Sequence, residues 1–76
     1  MPRSIRTIAL DIQRDWGAKV NYAARPYLSA MFSLDNTSEK YGFDDGASIV
    51  RYFLANAGTY RGARARSLKE ELKALL

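Results

Sequence analysis

Apolar residues return along this chain at helical spacing in four places. The first set is Ile5, Ile8, Ala9, Ile12 and Trp16, at i, i+3, i+4, i+7 and i+11. That is one stripe of a 3.6-residue helix. Ser4 stands where an N-terminal cap is needed and Gly17 where a helix stops, so the spacing predicts a helix over 4–16. Arg3, Arg6 and Arg14 fall on its opposite face, with Leu10 among them. Leu10 has two readings: an ordinary exposed leucine, or an apolar anchor for a partner, rimmed by arginines.

Residues 18–25 read as a connection anchored in the core by Val20 and Tyr22. Pro26 suits the first turn of a second helix, expected over 26–40. Tyr27, Ala30, Met31 and Leu34 share one face of it, while Leu28 and Phe32 form a second. A helix this apolar is either packed on two sides by its own chain or offers Leu28 and Phe32 to another. Residues 35–39 are polar and either continue the helix or fray. Gly42 is the expected terminator, with Tyr41 and Phe43 folding back on the core.

The third set, within 47–58, is the most apolar. Ile49, Val50, Phe53, Leu54 and Ala57 make one broad face, and only Arg51 and Ala55 lie well away from it. An arc this wide predicts a buried helix over 45–57, capped by Asp44 or Asp45, with the other helices packed round it. The fourth set is Ala65, Leu68, Leu72 and Leu75, expected in a helix over 60–75. Thr59 is the preferred cap, because residues 63–66 are good helix formers that continue the stripe. Ser67-Leu68-Lys69-Glu70 is itself a capping box and offers a later start. The predicted fold class is all-α: one compact four-helix domain over 1–76, the third helix central, the last two forming a helix-turn-helix-like hairpin.

The residue inventory removes most chemistry. The 76 residues include no cysteine and no histidine. Disulfides, thiolate or imidazole metal ligands, and an ordinary base near neutral pH are therefore absent. The paired carboxylates have simpler jobs. Asp11 and Asp15 sit beside arginines, Asp44 and Asp45 at a helix start, Glu70 and Glu71 on a lysine-rich face. Residues 58–62 lack the lysine and preceding strand of a phosphate loop, and a calcium loop starting at Asp35 would need glycine where Lys40 stands. No enzyme activity, cofactor or metal is expected. No apolar run approaches membrane-spanning length, and Arg6, Asp11 and Arg14 interrupt the first apolar pattern, so a cytoplasmic protein without membrane contact is expected.

Charge restores some interest. The net charge is +4, split as +3 over residues 1–25, −2 over 26–58 and +3 over 59–76. Basic ends flanking an acidic middle are either ordinary solvated helix faces or the footprint of a nucleic-acid or acidic partner. On the last helix Arg66, Lys69 and Lys73, at i, i+3 and i+7, form a basic stripe opposite the leucines. Tyr60, Arg61 and Arg64 lie near its N-terminus, where a recognition helix meets DNA. Glu70 and Glu71 count against DNA, as does the lack of side chains for reading bases beyond Ser67.

Trp16, Pro26-Tyr27-Leu28, Ala30-Met31, Tyr41-Gly42, the run from Ser48 to Ala57, Thr59-Tyr60-Arg61-Gly62 and the Lys69-Glu70-Glu71-Leu72-Lys73 tail together resemble small hypothetical proteins of bacteriophages and prophages. The resemblance implies a phage accessory protein and carries no catalytic residues. It implies stoichiometric binding to a host protein or nucleoprotein complex, including inhibition of a defence system such as CRISPR; the helical faces, not the resemblance, put forward Leu10, Leu28 and Phe32 as the apolar contacts. The alternatives are a DNA-binding protein acting through the last helix and a homo-oligomeric structural or assembly protein.

Overall fold

Ser4 opens the first helix as its spacing predicts. In the computed structural model, which describes residues 3–76, α1 spans Ile5–Trp16 and the Ser4 hydroxyl accepts the Thr7 N–H at 3.1 Å. The first two positions of the expected 1–76 domain lie outside the described residues. The whole stripe from Ile5 to Trp16 is buried. Gly17 ends the helix at φ +58, a left-handed conformation that costs glycine little, and a short 3₁₀ turn follows over Gly17–Lys19.

The second helix is shorter than expected. It spans Arg25–Met31, with Pro26 in its first turn. The N–H groups of Phe32, Ser33 and Leu34 then bond three residues back, tightening the chain out of the helix. The reason lies on α1, whose first N–H groups have no partner inside their own helix. Ile5 and Arg6 donate instead to the carbonyls of Asp35 and Leu34, at 3.0 and 2.9 Å. Those carbonyls are engaged across the domain, so α2 cannot run on to residue 40.

Residues 40–45 form a hairpin, which corrects the all-α expectation to a mostly helical fold with a small sheet. β1 (Lys40–Tyr41) pairs antiparallel with β2 (Asp44–Asp45), Tyr41 opposite Asp44. Gly42 and Phe43 are the two-residue loop. Gly42 has φ +66 and among the described residues no non-glycine residue has positive φ, the signature of a type II′ turn with glycine first. Gly42 is therefore a hairpin corner, not a helix stop. Tyr41 and Phe43 point outward, and Phe43 is fully exposed.

α3 spans Gly46–Ala55 and is capped by Asp45, whose carboxylate accepts the Ser48 N–H at 2.8 Å. Ile49, Val50, Phe53 and the following Ala57 are buried, Leu54 is half-buried, and Tyr52 is exposed. α4 spans Ala63–Ala74. Its N-cap is Gly62 at φ +116, with no side-chain cap; neither Thr59 nor Ser67 takes that role.

The middle of the domain belongs to α1, which corrects the expectation of a central third helix. α1 packs on both α2 and α4, α2 packs on α3, and the hairpin packs on α3. Trp16 ties the end of α1 to the rest, edge-on to Phe53 at 6.2 Å and stacked on Tyr60 at 4.7 Å. α4 lies on α1 rather than forming a tight pair with α3, so the expected short-turn helical hairpin is replaced by the longer connection 56–62. Of the two expected anchors in 18–25, Val20 is buried but Tyr22 is exposed to solvent.

Candidate anion-binding site

α4 buries Ala65, Leu68 and Leu72 against α1, so its remaining faces carry its charges outward. Along it, from the connection before Ala63 to Lys73, lies an open cavity of about 660 Å³. Arg61, Arg66, Lys69 and Lys73 line it, with Glu70 as the one carboxylate and Tyr60, Gly62 and Ala63 completing the wall. The concavity follows from the chain path. Gly62, at positive φ, turns the connection sharply into α4, and Lys69 Nζ donates to the Tyr60 carbonyl at 2.6 Å, holding the connection against the helix.

The cations differ in how free they are. Arg61 and Arg66 join no ion pair among the described residues; Arg61 Nε makes only a long bond to the Gly58 carbonyl at 3.4 Å. Lys73 meets Glu70 at 3.5 Å, an exposed pair one helical turn long. Burial pushes the Lys69 ammonium below the usual lysine range, with Lys73 and Arg61 adding repulsion. Like charges gathered this way favour an anion among them. The uncapped first turn of α4 adds the positive end of the helix dipole beside Gly62 and Ala63.

Five of the six residues expected to meet a nucleic acid or acidic partner thus come together here: Tyr60, Arg61, Arg66, Lys69 and Lys73. Two roles change. Tyr60 is only 3% exposed, stacked on Trp16, with its hydroxyl donating to Asp15 at 2.7 Å. It builds the wall and is closed to a base. Arg64 points toward α1, 3.6 Å from Asp11, and does not line the cavity. The expected obstruction by acidic residues is halved. Glu71 is held by Arg3 through bonds of 2.8 and 2.6 Å, and only Glu70 lines the cavity.

The three apolar contacts do not form one site. Leu28 is 2% exposed and belongs to the core, and Phe32 is half-buried against that core. Leu28 is covered by its own chain, which corrects its reading as part of a docking face; Phe32 keeps part of its surface in solvent. Leu10 is 42% exposed, as expected, and stands without them. Missed altogether was the Arg3 clamp, which joins Asp11 of α1 to Glu71 of α4. Its sequence signal was present in principle, since Arg3 precedes a helix that carries Asp11 on the same side.

Two smaller hollows carry less chemistry. One, of about 440 Å³, lies beside Gln13, Val20, Arg25 and Leu28, and a shallow one runs along Arg66, Ser67 and Glu70. Among the described residues no group of three or more potential metal ligands gathers, and no helix is long and apolar enough to cross a membrane. No protein-family model, curated protein or solved structure matches the chain.

Proposed function

We propose that this protein acts by stoichiometric binding rather than catalysis, and that its partner is the phosphate backbone of a nucleic acid, bare or within a host nucleoprotein complex. The observation that carries the reading is the α4 cavity, with four cations and one carboxylate. Arg66, Lys69 and Lys73 are spread over seven residues of helix, about 10 Å at a rise of roughly 1.5 Å each. Phosphates on one strand recur about every 3.4 Å along a duplex axis, so the stripe reaches about three of them. Base reading is not part of the proposal. Tyr60 is buried and Arg64 is paired, so of the three side chains expected to meet bases at the start of α4 only Arg61 is free. The phage-type context rests on the resemblance of the sequence alone. In it, blocking a nucleic-acid-handling defence complex is the role such a surface suits.

Fluorescence anisotropy with a labelled duplex tests this. Contact with about three phosphates gives a slope near −3 in log K against log salt concentration, with little dependence on base sequence. Arg66→Glu combined with Lys73→Glu abolishes binding, whereas Lys40→Glu on the hairpin leaves it within about twofold. Absence of binding at low salt, or a flat salt response, overturns the proposal.

A further inference from the structure

The hairpin and the α4 cavity have opposite chemistry. The hairpin, residues 40–45, holds Asp44 and Asp45 against Lys40, a net charge of −1; Asp45 caps α3, so Asp44 is the carboxylate it presents at the tip. Residues 60–73 hold five cations against Glu70 and Glu71, a net charge of +3. At the hairpin tip Phe43 is fully exposed and Tyr41 is half-exposed, with Asp44 exposed beside them. Phe43 therefore makes no contribution to packing within its own chain. The backbone beneath it is held, because a two-residue turn allows the tip little freedom and the Gly46 N–H bond to the Glu39 carbonyl at 2.6 Å closes the base of the hairpin.

One chain cannot satisfy this complementarity itself. The hairpin packs on α3, whereas the cavity belongs to α4, which packs on α1. A second copy can. We infer that the hairpin tip of one molecule seats in the basic cavity of another, with Phe43 against the guanidinium and ammonium groups and Asp44 among them. An aromatic face attracts such cations, and the carboxylate pairs with those that Glu70 leaves free. A cavity of about 660 Å³ is within the range that encloses a ring-sized group. Donor and acceptor surfaces differ, so the contact is heterologous and extends head to tail instead of closing as a two-fold dimer. The inference rests on the cavity accepting anions, the premise of the proposed function, and it adds competition: a nucleic acid bound to the same cations releases the neighbouring hairpin.

Sedimentation velocity tests it with two variants of the full chain. The hairpin variant is Phe43→Ser with Asp44→Lys. The cavity variant is Arg66→Glu with Lys73→Glu. All four positions are exposed, and circular dichroism checks that each variant keeps its helices. The wild type is expected to gain mass with concentration on the order of 100 μM, as suits a small interface, and to lose that gain in high salt. Each variant alone stays monomeric. Mixed, they supply one intact hairpin and one intact cavity and form a dimer of about twice the mass that grows no further. A hairpin variant that associates like the wild type, a monomeric wild type, or a mixture that stays monomeric overturns the inference. A duplex titration on the same samples separates the two ideas. Wild type that binds DNA but stays monomeric sinks only the self-association. Wild type that associates but ignores DNA sinks only the nucleic-acid reading.

Discussion

Tyr60 does its work through two atoms at opposite ends of its residue. Its hydroxyl donates to Asp15, and its carbonyl accepts from Lys69. Burial first, and then the bond to Asp15, push the phenol above its usual range, which favours the protonated donor. Tyr60→Phe keeps the Trp16 stack and removes only the hydroxyl. Asp15 is exposed and can rehydrate, so the expected cost is about 1 kcal/mol by urea denaturation. Tyr60→Ala removes the ring as well and costs about 3–5 kcal/mol. Gly46 gives a sharper case because two effects oppose each other. Alanine is favoured over glycine in a helix interior by about 1 kcal/mol, and by less at the first residue of α3, where Gly46 stands. A Cβ at Gly46, however, would meet the Asn36 carbonyl oxygen at 2.7 Å and the Thr37 Cα at 3.0 Å, both backbone atoms. Overpacking against atoms that cannot rotate away costs about 1–3 kcal/mol, so Gly46→Ala is expected to lower the urea midpoint despite the better helix former.

At the scale of elements, Arg3 is the cross-brace between α1 and α4. Its hydrogen bonds hold the carboxyls of Asp11 and Glu71 below their ordinary values of 3.8 and 4.5. A carboxylate with a depressed folded-state pKa contributes stability that is fully present above its unfolded value and lost as pH falls through the folded one. Thermal melts are therefore expected to change little from pH 7 to about 5 and to drop below about 4.5. Arg3→Ala should lower the neutral melting point slightly and flatten that acid limb; an unchanged limb would show that the brace does not govern it. Much of this level was legible beforehand. The stripes of α1 and α4 are long and regular, and every position of the first is buried. The hairpin was not legible, because strands of two residues carry no alternation to detect and Tyr41-Gly42-Phe43 reads equally well as a helix end. The length of α2 was hidden for another reason. It is set by the needs of the N-terminus of α1, a contact between residues nearly thirty apart. The basic cavity was half legible: helical spacing gathers Arg66, Lys69 and Lys73, but only the tertiary structure buries Tyr60 in the wall beside them and engages Arg64 with Asp11 of α1.

For the whole molecule, the question is which helix the others depend on. Apolar density singles out α3, yet a helix is central through the number of partners it has on different sides, and density does not measure that. α1 lies between α2 and α4, and Ile5, Ile8, Ala9 and Ile12 are at most 1% exposed. α3 keeps Arg51, Tyr52 and Ala55 in solvent and turns one face inward. A domain of 76 residues has about 4–11 kcal/mol of stability in total at roughly 0.05–0.15 kcal/mol per residue. Ile12→Ala, at a fully buried site between two helices, costs about 3–4 kcal/mol and is expected to leave the chain near its folding threshold. Native-state hydrogen exchange ranks the helices without any mutation. Amides at 9–13 should exchange only through global unfolding and respond to denaturant with the full slope of the unfolding transition. Those on the outer side of α3, Arg51 and Tyr52, should open at lower free energy. If the amides of α3 instead prove the slowest in the chain, the centre of the fold lies there and the ranking given to Ile12→Ala reverses.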